Sequence, residues 1–166
     1  MTDLAPLLPA ATELIALLTE RKLRIAIAES CTGGLIAAML TEVPGSSVVV
    51  DRGFVTYSNE AKTELLGVPA RLLGPGGPGA VSKEVALAMA EGAIARSRAD
   101  LTIAVTGVAG PSGGTPEKPV GLVHLVAHRR GGAVHHAQIR YGDLGRSGIR
   151  LATVRDALAM LMTLAG

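Results

Sequence analysis

The stretch that decides the fold is residues 23–41, LRIAIAESCTGGLIAAMLT. Leu23 to Ala28 is a short, nearly continuous apolar run, the pattern of a strand buried on both faces. It ends in the polar, glycine-containing segment Glu29-Ser30-Cys31-Thr32-Gly33-Gly34, and Leu35 to Thr41 then reads as a helix. Strand, glycine turn, helix is the unit of an α/β sheet, and it presents backbone N–H groups and a positive dipole end to an anion. Gly33 and Gly34 serve equally well for tight helix–strand packing, so both readings stay open here.

The same alternation continues outward. Residues 10–21 carry an apolar face at Ala11, Leu14, Ile15, Leu17 and Leu18 and predict a helix before the strand. Ser82 caps a long helix with Val85, Met89, Ala93 and Ile94 along its inner side. Asp100 to Thr106 is a second buried strand, followed by the glycine-dense loop GVAGPSGGT at 107–115. In open α/β sheets ligands sit in the crevice beyond such strand ends. The loop has neither the Gly-Lys-Ser/Thr of a P-loop nor a helix opening as in a dinucleotide fingerprint. Val120–His128 and Ala133–Tyr141 predict a hairpin turning at Gly131-Gly132, and a last helix opens at Gly145 or Ser147. The cluster Gly74–Gly79 predicts a mobile surface excursion.

Composition narrows the function. One domain of 166 residues is expected, with 48 % apolar and 18 % charged residues. Aromatics are 2 %, which counts against the stacking platforms of single-strand binders, and a net charge of +2 with dispersed basic residues makes nucleic acid an unexpected partner. Cys31 is the one cysteine, so no intrachain disulfide forms. No signal peptide or run of transmembrane length is evident, so a cytoplasmic protein with no membrane partner is expected. His124, His128, His135 and His136 lack Cys/His metal spacing and read as sheet-face residues.

Chemistry concentrates in GSSVVVDRGFVTYSNEAK, residues 45–62. Serine needs a base at neutral pH, and a lysine supplies one when burial lowers its pKa. Ser58 predicts an N-cap, and Lys62 lies three and four residues before Leu65 and Leu66, on that helix's apolar side. It is either such a base or a lysine snorkelling off a surface helix. Ser47 and Tyr57 are ten residues apart, about 33 Å if extended. They share a site only if the chain folds back between them, for which Asp51-Arg52-Gly53 is the expected place. Cys31, just past a strand and opening a helix, is a rival nucleophile. Arg146 and Arg150 sit in the first turn of the last helix, against its dipole.

Together AESCTGG at 28–34, GSS and DRGFVTYSNEAK within 45–62, GAVS at 79–82, TGVAGPSGGTPEKPVG at 106–121 and GD…IR at 142–150 resemble the CinA C-terminal domain family. The resemblance implies a single-domain three-layer α/β/α sandwich with a mixed sheet over residues 1–166. It implies hydrolysis of the carboxamide of nicotinamide mononucleotide by a serine/lysine mechanism, without cofactor or metal, in pyridine nucleotide recycling, and a homo-oligomer. Carried over, the nucleophile is Ser47, the base Lys62 and the orienting or relaying group Tyr57, with an oxyanion hole around Gly45 to Ser47. Ser30, Thr32, Gly33, Gly34, Ser46, Thr106, Gly107 and Gly110 are the expected nucleotide contacts, and Arg150 is the expected phosphate clamp. The spacing GDLGRSGIR is stretched relative to the family and leaves Arg146 as the alternative. The other class of function is a non-catalytic nucleotide-binding regulatory module.

Overall fold

In a computed structural model describing residues 2–166, five strands form one sheet in the order β2-β1-β3-β4-β5. β1 (Ile25–Glu29) is wholly buried, as its apolar run requires, and pairs in parallel with β2 (Val50–Val55) and with β3 (Leu101–Gly107). β4 (Leu122–Arg129) and β5 (Val134–Arg140) form the expected antiparallel hairpin, with β4 on β3. Helices cover both faces, so the architecture is a three-layer α/β/α sandwich with a mixed sheet.

One face is covered by α1 (Leu8–Arg21), α2 (Leu35–Thr41) and α6 (Gly145–Ala165), whose Leu14, Leu18, Ile36, Leu40, Val154 and Leu158 meet Ile25, Ile27, Ile103 and Val105 of the sheet. The other is covered by α3 (Asn59–Leu66), the short α4 (Ala70–Leu73) and α5 (Lys83–Ala95), with Leu66, Val85, Met89 and Ala93 against Ala28, Ala104 and Val126. Both predicted caps form. Ser58 Oγ accepts from the Ala61 N–H at 3.0 Å, and Ser82 Oγ from Val85 at 3.2 Å.

The connection after β1 leads to α2 on one face and the connection after β2 leads to α3 on the other. From β1 the chain passes to β2 on one side of it and then crosses back to β3 on the other, so the carboxyl ends of β1 and β3 flank a switch point, where an open sheet leaves a crevice. Residues 51–53 do not fold the chain back. Asp51, Arg52 and Gly53 belong to β2, with Arg52 opposite Ala26 and Gly53 opposite Ile27. Pairing along β1 holds that segment extended. Nor is the Gly74–Gly79 segment loose: Gly77 N–H bonds Gly74 O, Gly79 N–H bonds Leu72 O, and Lys118 Nζ bonds Pro78 O.

α3 is docked by a close approach of backbones. A Cβ on Gly92 of α5 would overlap the carbonyl of Leu66 at the end of α3. Gly92→Ala is expected to cost about 1–3 kcal/mol, as overpacking does, and to reduce whatever activity depends on α3. A urea midpoint equal to that of the parent would contradict this packing.

Candidate active site

Lys62, the fourth residue of α3, points inward and is 1 % exposed. Its Nζ lies 3.0 Å from Ser30 Oγ, 2.9 Å from the Thr56 carbonyl oxygen and 3.5 Å from that of Ser58. Burial pushes the Lys62 ammonium below its ordinary range, with Cys31 and Glu60 pulling weakly the other way. In the neutral amine the two N–H groups can serve the two carbonyls, which leaves the nitrogen lone pair for the Ser30 hydroxyl proton. Chemically, the arrangement is a hydroxyl with an adjacent amine able to take its proton.

Ser30 is held by its backbone. Its N–H bonds the Val105 carbonyl at 3.0 Å and its carbonyl accepts from Gly33. Directly before it Glu29, 1 % exposed, turns its carboxylate to the first turn of α2. One oxygen accepts from Gly34 (3.0 Å) and Ile36 (3.1 Å), the other from Ala37 (2.9 Å). Of the two readings left open for the glycine turn, anion binding is met by the chain's own carboxylate. Donors of the helix start are consumed by Glu29, and Gly33 and Gly34 are absent from the lining of the cleft.

The serine that meets the lysine is not Ser47. Ser47 is exposed, in a 3-10 turn (Ser46–Val48) just before β2. Val50, the first residue of β2, pairs with Ile25, whereas Val55 pairs with Glu29 next to Ser30. The strand between spans roughly 17 Å at about 3.3 Å per residue. Ser47, with Ser46 and the Gly45 amide, therefore sits at the opposite end of the sheet from Lys62, and neither the expected dyad nor the expected oxyanion hole is assembled there.

Around Ser30 and Lys62 lies a cleft of about 340 Å³, bounded also by Cys31, Tyr57, Asn59, Ala80, Val81, Thr106, Gly107, Gly110 and Arg146. Of the expected contacts the structure gathers Ser30, Thr106, Gly107 and Gly110 here. Thr106 Oγ1 donates to Ala80 O at 2.8 Å. Tyr57 lines the mouth, 58 % exposed, and its hydroxyl accepts from Arg146 Nη2 at 2.8 Å. Arg146 Nη1 also holds Gly110 O at 2.8 Å. Arg150, one helical turn deeper, lies behind the Ser30 turn instead. Its Nη2 donates to the Thr32 carbonyl at 2.7 Å, and it comes within 3.3 Å of where a Cβ on Gly33 would stand. Gly33, at φ +60°, suits both that approach and the turn. Thr32 is fully buried and braces the turn rather than lining the cleft. The arginine in position for a ligand is Arg146.

Cys31 is 6 % exposed, and burial pushes its thiol up to about 12, so a resting thiolate is disfavoured. Among the described residues no three His, Cys, Asp or Glu side chains converge as metal ligands. Nor is any helix among them long and apolar enough to cross a membrane.

Comparison with known proteins agrees with the fold. The CinA C-terminal domain family matches residues 8–165, and the chain belongs to it. A CinA-like protein of Syntrophus aciditrophicus is 54 % identical over 147 residues, covering 88 % of this chain and 34 % of the relative. A CinA-like protein of Akkermansia muciniphila is 52 % identical over 145 residues, 87 % of this chain and 34 % of the relative. The chain spans about a third of the length of these relatives. Among solved structures, the competence/damage inducible protein CihA of Agrobacterium tumefaciens superposes with a TM-score of 0.93 at 56 % identity, covering 96 % of each chain. A CinA superfamily protein of Escherichia coli gives 0.86 at 36 % identity, covering 93 % of this chain and 88 % of that one.

Glu29 was not foreseen as structural. A carboxylate ending an otherwise apolar buried strand, six residues before the first residue of a helix, was the available signal. Glu29→Ala leaves three N–H groups without their acceptor, at about 1–3 kcal/mol for each that water cannot reach. A fall in the urea midpoint is expected, with a smaller one for Glu29→Gln. Unchanged midpoints would mean that the carboxylate is dispensable to the turn.

Proposed function

We propose that the protein is a serine/lysine amidohydrolase acting in the cytoplasm on nicotinamide mononucleotide, releasing nicotinic acid mononucleotide and ammonia. The observation that carries the reading is the 3.0 Å contact of Lys62 Nζ with Ser30 Oγ at the sheet's switch point. Family membership and the motifs supply the substrate class, and the position of Lys62 moves the nucleophile from Ser47 to Ser30.

In this mechanism Lys62 takes the Ser30 hydroxyl proton as Oγ attacks the carboxamide carbon. The tetrahedral intermediate collapses with cleavage of the C–N bond, and Lys62 delivers its proton to the departing nitrogen, giving ammonia and an ester on Ser30. Water then attacks the ester, Lys62 accepting its proton and returning it to Ser30 Oγ. The donor for the oxyanion is the N–H of Cys31, a residue that lines the cleft and for whose N–H no oxygen acceptor is found among the described residues. The Tyr57 ring offers a face to the cationic pyridine. Arg146 meets the phosphate, exchanging its Tyr57 contact for a charge-assisted pair.

Two measurements test this. Ammonia release from nicotinamide mononucleotide without added metal is expected from the parent, from Ser47→Ala and from Cys31→Ala at similar rates. A loss of about 10³-fold or more is expected for Ser30→Ala and for Lys62→Ala. Full activity in Ser30→Ala would overturn the dyad, and nucleotide binding without ammonia release by the parent would favour the regulatory module. Independently, kcat/KM should have an acid limb. The base works only as the neutral amine, so the rate falls as pH drops through the Lys62 pKa. That midpoint should lie below the ordinary 10.5. A limb at or above 10.5 would contradict a buried lysine base.

A further inference from the structure

On the α5 side of the sheet, β4 and β5 carry His124 and His136 where β1 and β3 present only alanines and threonines. His124, on the same face as Val126, is 6 % exposed, and its Nδ1 lies 3.0 Å from Nε2 of His136 on β5. The rings are stacked, with centroids 5.3 Å apart and 17° between planes. His124 lines a second cavity of about 330 Å³, whose other charged walls are Lys83 and Glu84 from the start of α5, Glu117 and Lys118 from the loop before β4, and Arg140 from β5. Val81 is a wall of both this cavity and the catalytic cleft.

A solvated sheet edge would account for exposed Arg140 alone. It does not account for a histidine buried beside two lysines, or for Lys83 at the first position of a helix whose dipole repels cations. Burial, then His136, then Lys118 hold the His124 imidazolium below the ordinary histidine range, against Glu84. Burial and then Lys83 do the same to His136, again against Glu84. With one imidazole donating to the other, His124 Nε2 has no protein partner among the described residues and reaches the cavity. Three permanent cations face two carboxylates, and the groups left over are donors.

We propose that this cavity is a second ligand site, separate from the catalytic cleft, which binds a small phosphate-bearing anion between Lys83, Lys118, Arg140 and the His124–His136 pair. The anion supplies the missing counter-charge and joins the helix N-terminal donors of α5 to the side chains. Because it favours protonated imidazole, its binding takes up a proton and tightens as pH falls. Contact with the shared Val81 segment gives it a route to the cleft. None of this depends on the amidohydrolase reading.

The test follows the histidine C2 protons by NMR through a pH titration of the full chain, in inorganic phosphate and in chloride of equal ionic strength. Phosphate is expected to raise the midpoints of His124 and His136 by roughly one unit and to leave His135, on the opposite face, in place. Lys83→Gln combined with Arg140→Gln should remove that difference while the melting temperature and ammonia release stay at parental values. Unmoved midpoints, equal movement of all four histidines, or a shift that survives the double substitution would overturn the proposal. A second arm uses nicotinamide mononucleotide with the Ser30→Ala protein. A shift there with none in inorganic phosphate would make the cavity an extension of the substrate site, and a separate anion site would be wrong.

Discussion

The contact on which the active site depends is the one between the buried Lys62 amine and the Ser30 hydroxyl. A lysine that is 1 % exposed is a cost to folding as an ammonium, and it is tolerated because two main-chain carbonyls and one hydroxyl surround its nitrogen. The same burial that makes it costly lowers its pKa and makes it a base. Each neighbouring element serves that placement. β1 and β2, paired in parallel, bring Ser30 and Thr56 side by side, and α3, capped by Ser58 and seated on Gly92, aims the side chain between them.

Ser30 is braced from the other side of the sheet. Glu29 precedes it in the strand and, by the alternation of strand side chains, turns away from the lysine to the first turn of α2. Arg150 reaches the same turn from α6 through the Thr32 carbonyl. Ser30 thus sits between an acidic brace on one face and the lysine on the other, on a turn with little freedom to move. Such preorganisation is what the proposed attack of Ser30 on an unreactive amide requires.

Local features were legible in the residues: the buried β1, the hairpin, the caps at Ser58 and Ser82, and Lys62 on the apolar side of its helix. The partner of Lys62 was not, because it is fixed by strand register. Ser47 is fifteen residues from Lys62 and Ser30 is thirty-two, yet pairing of Val50 with Ile25 carries the nearer serine to the far end of the sheet. The choice between Arg146 and Arg150 was likewise hidden. Both point the same way along α6, and only the depth of the cleft relative to that helix separates them. The glycine turn left anion binding and tight packing both open, because its donors can equally be met by a carboxylate within the chain.

The Ser30–Lys62 pairing is tested most simply by where an acyl group lands. The protein is reacted with an activated ester small enough for the cleft, quenched at low pH, and the modified peptide is located by mass spectrometry. One acylated residue is expected, Ser30, in the peptide containing ESCTGG, with labelling lost in Lys62→Ala. Acylation of Ser47, or of Ser30 undiminished without the lysine, would contradict it.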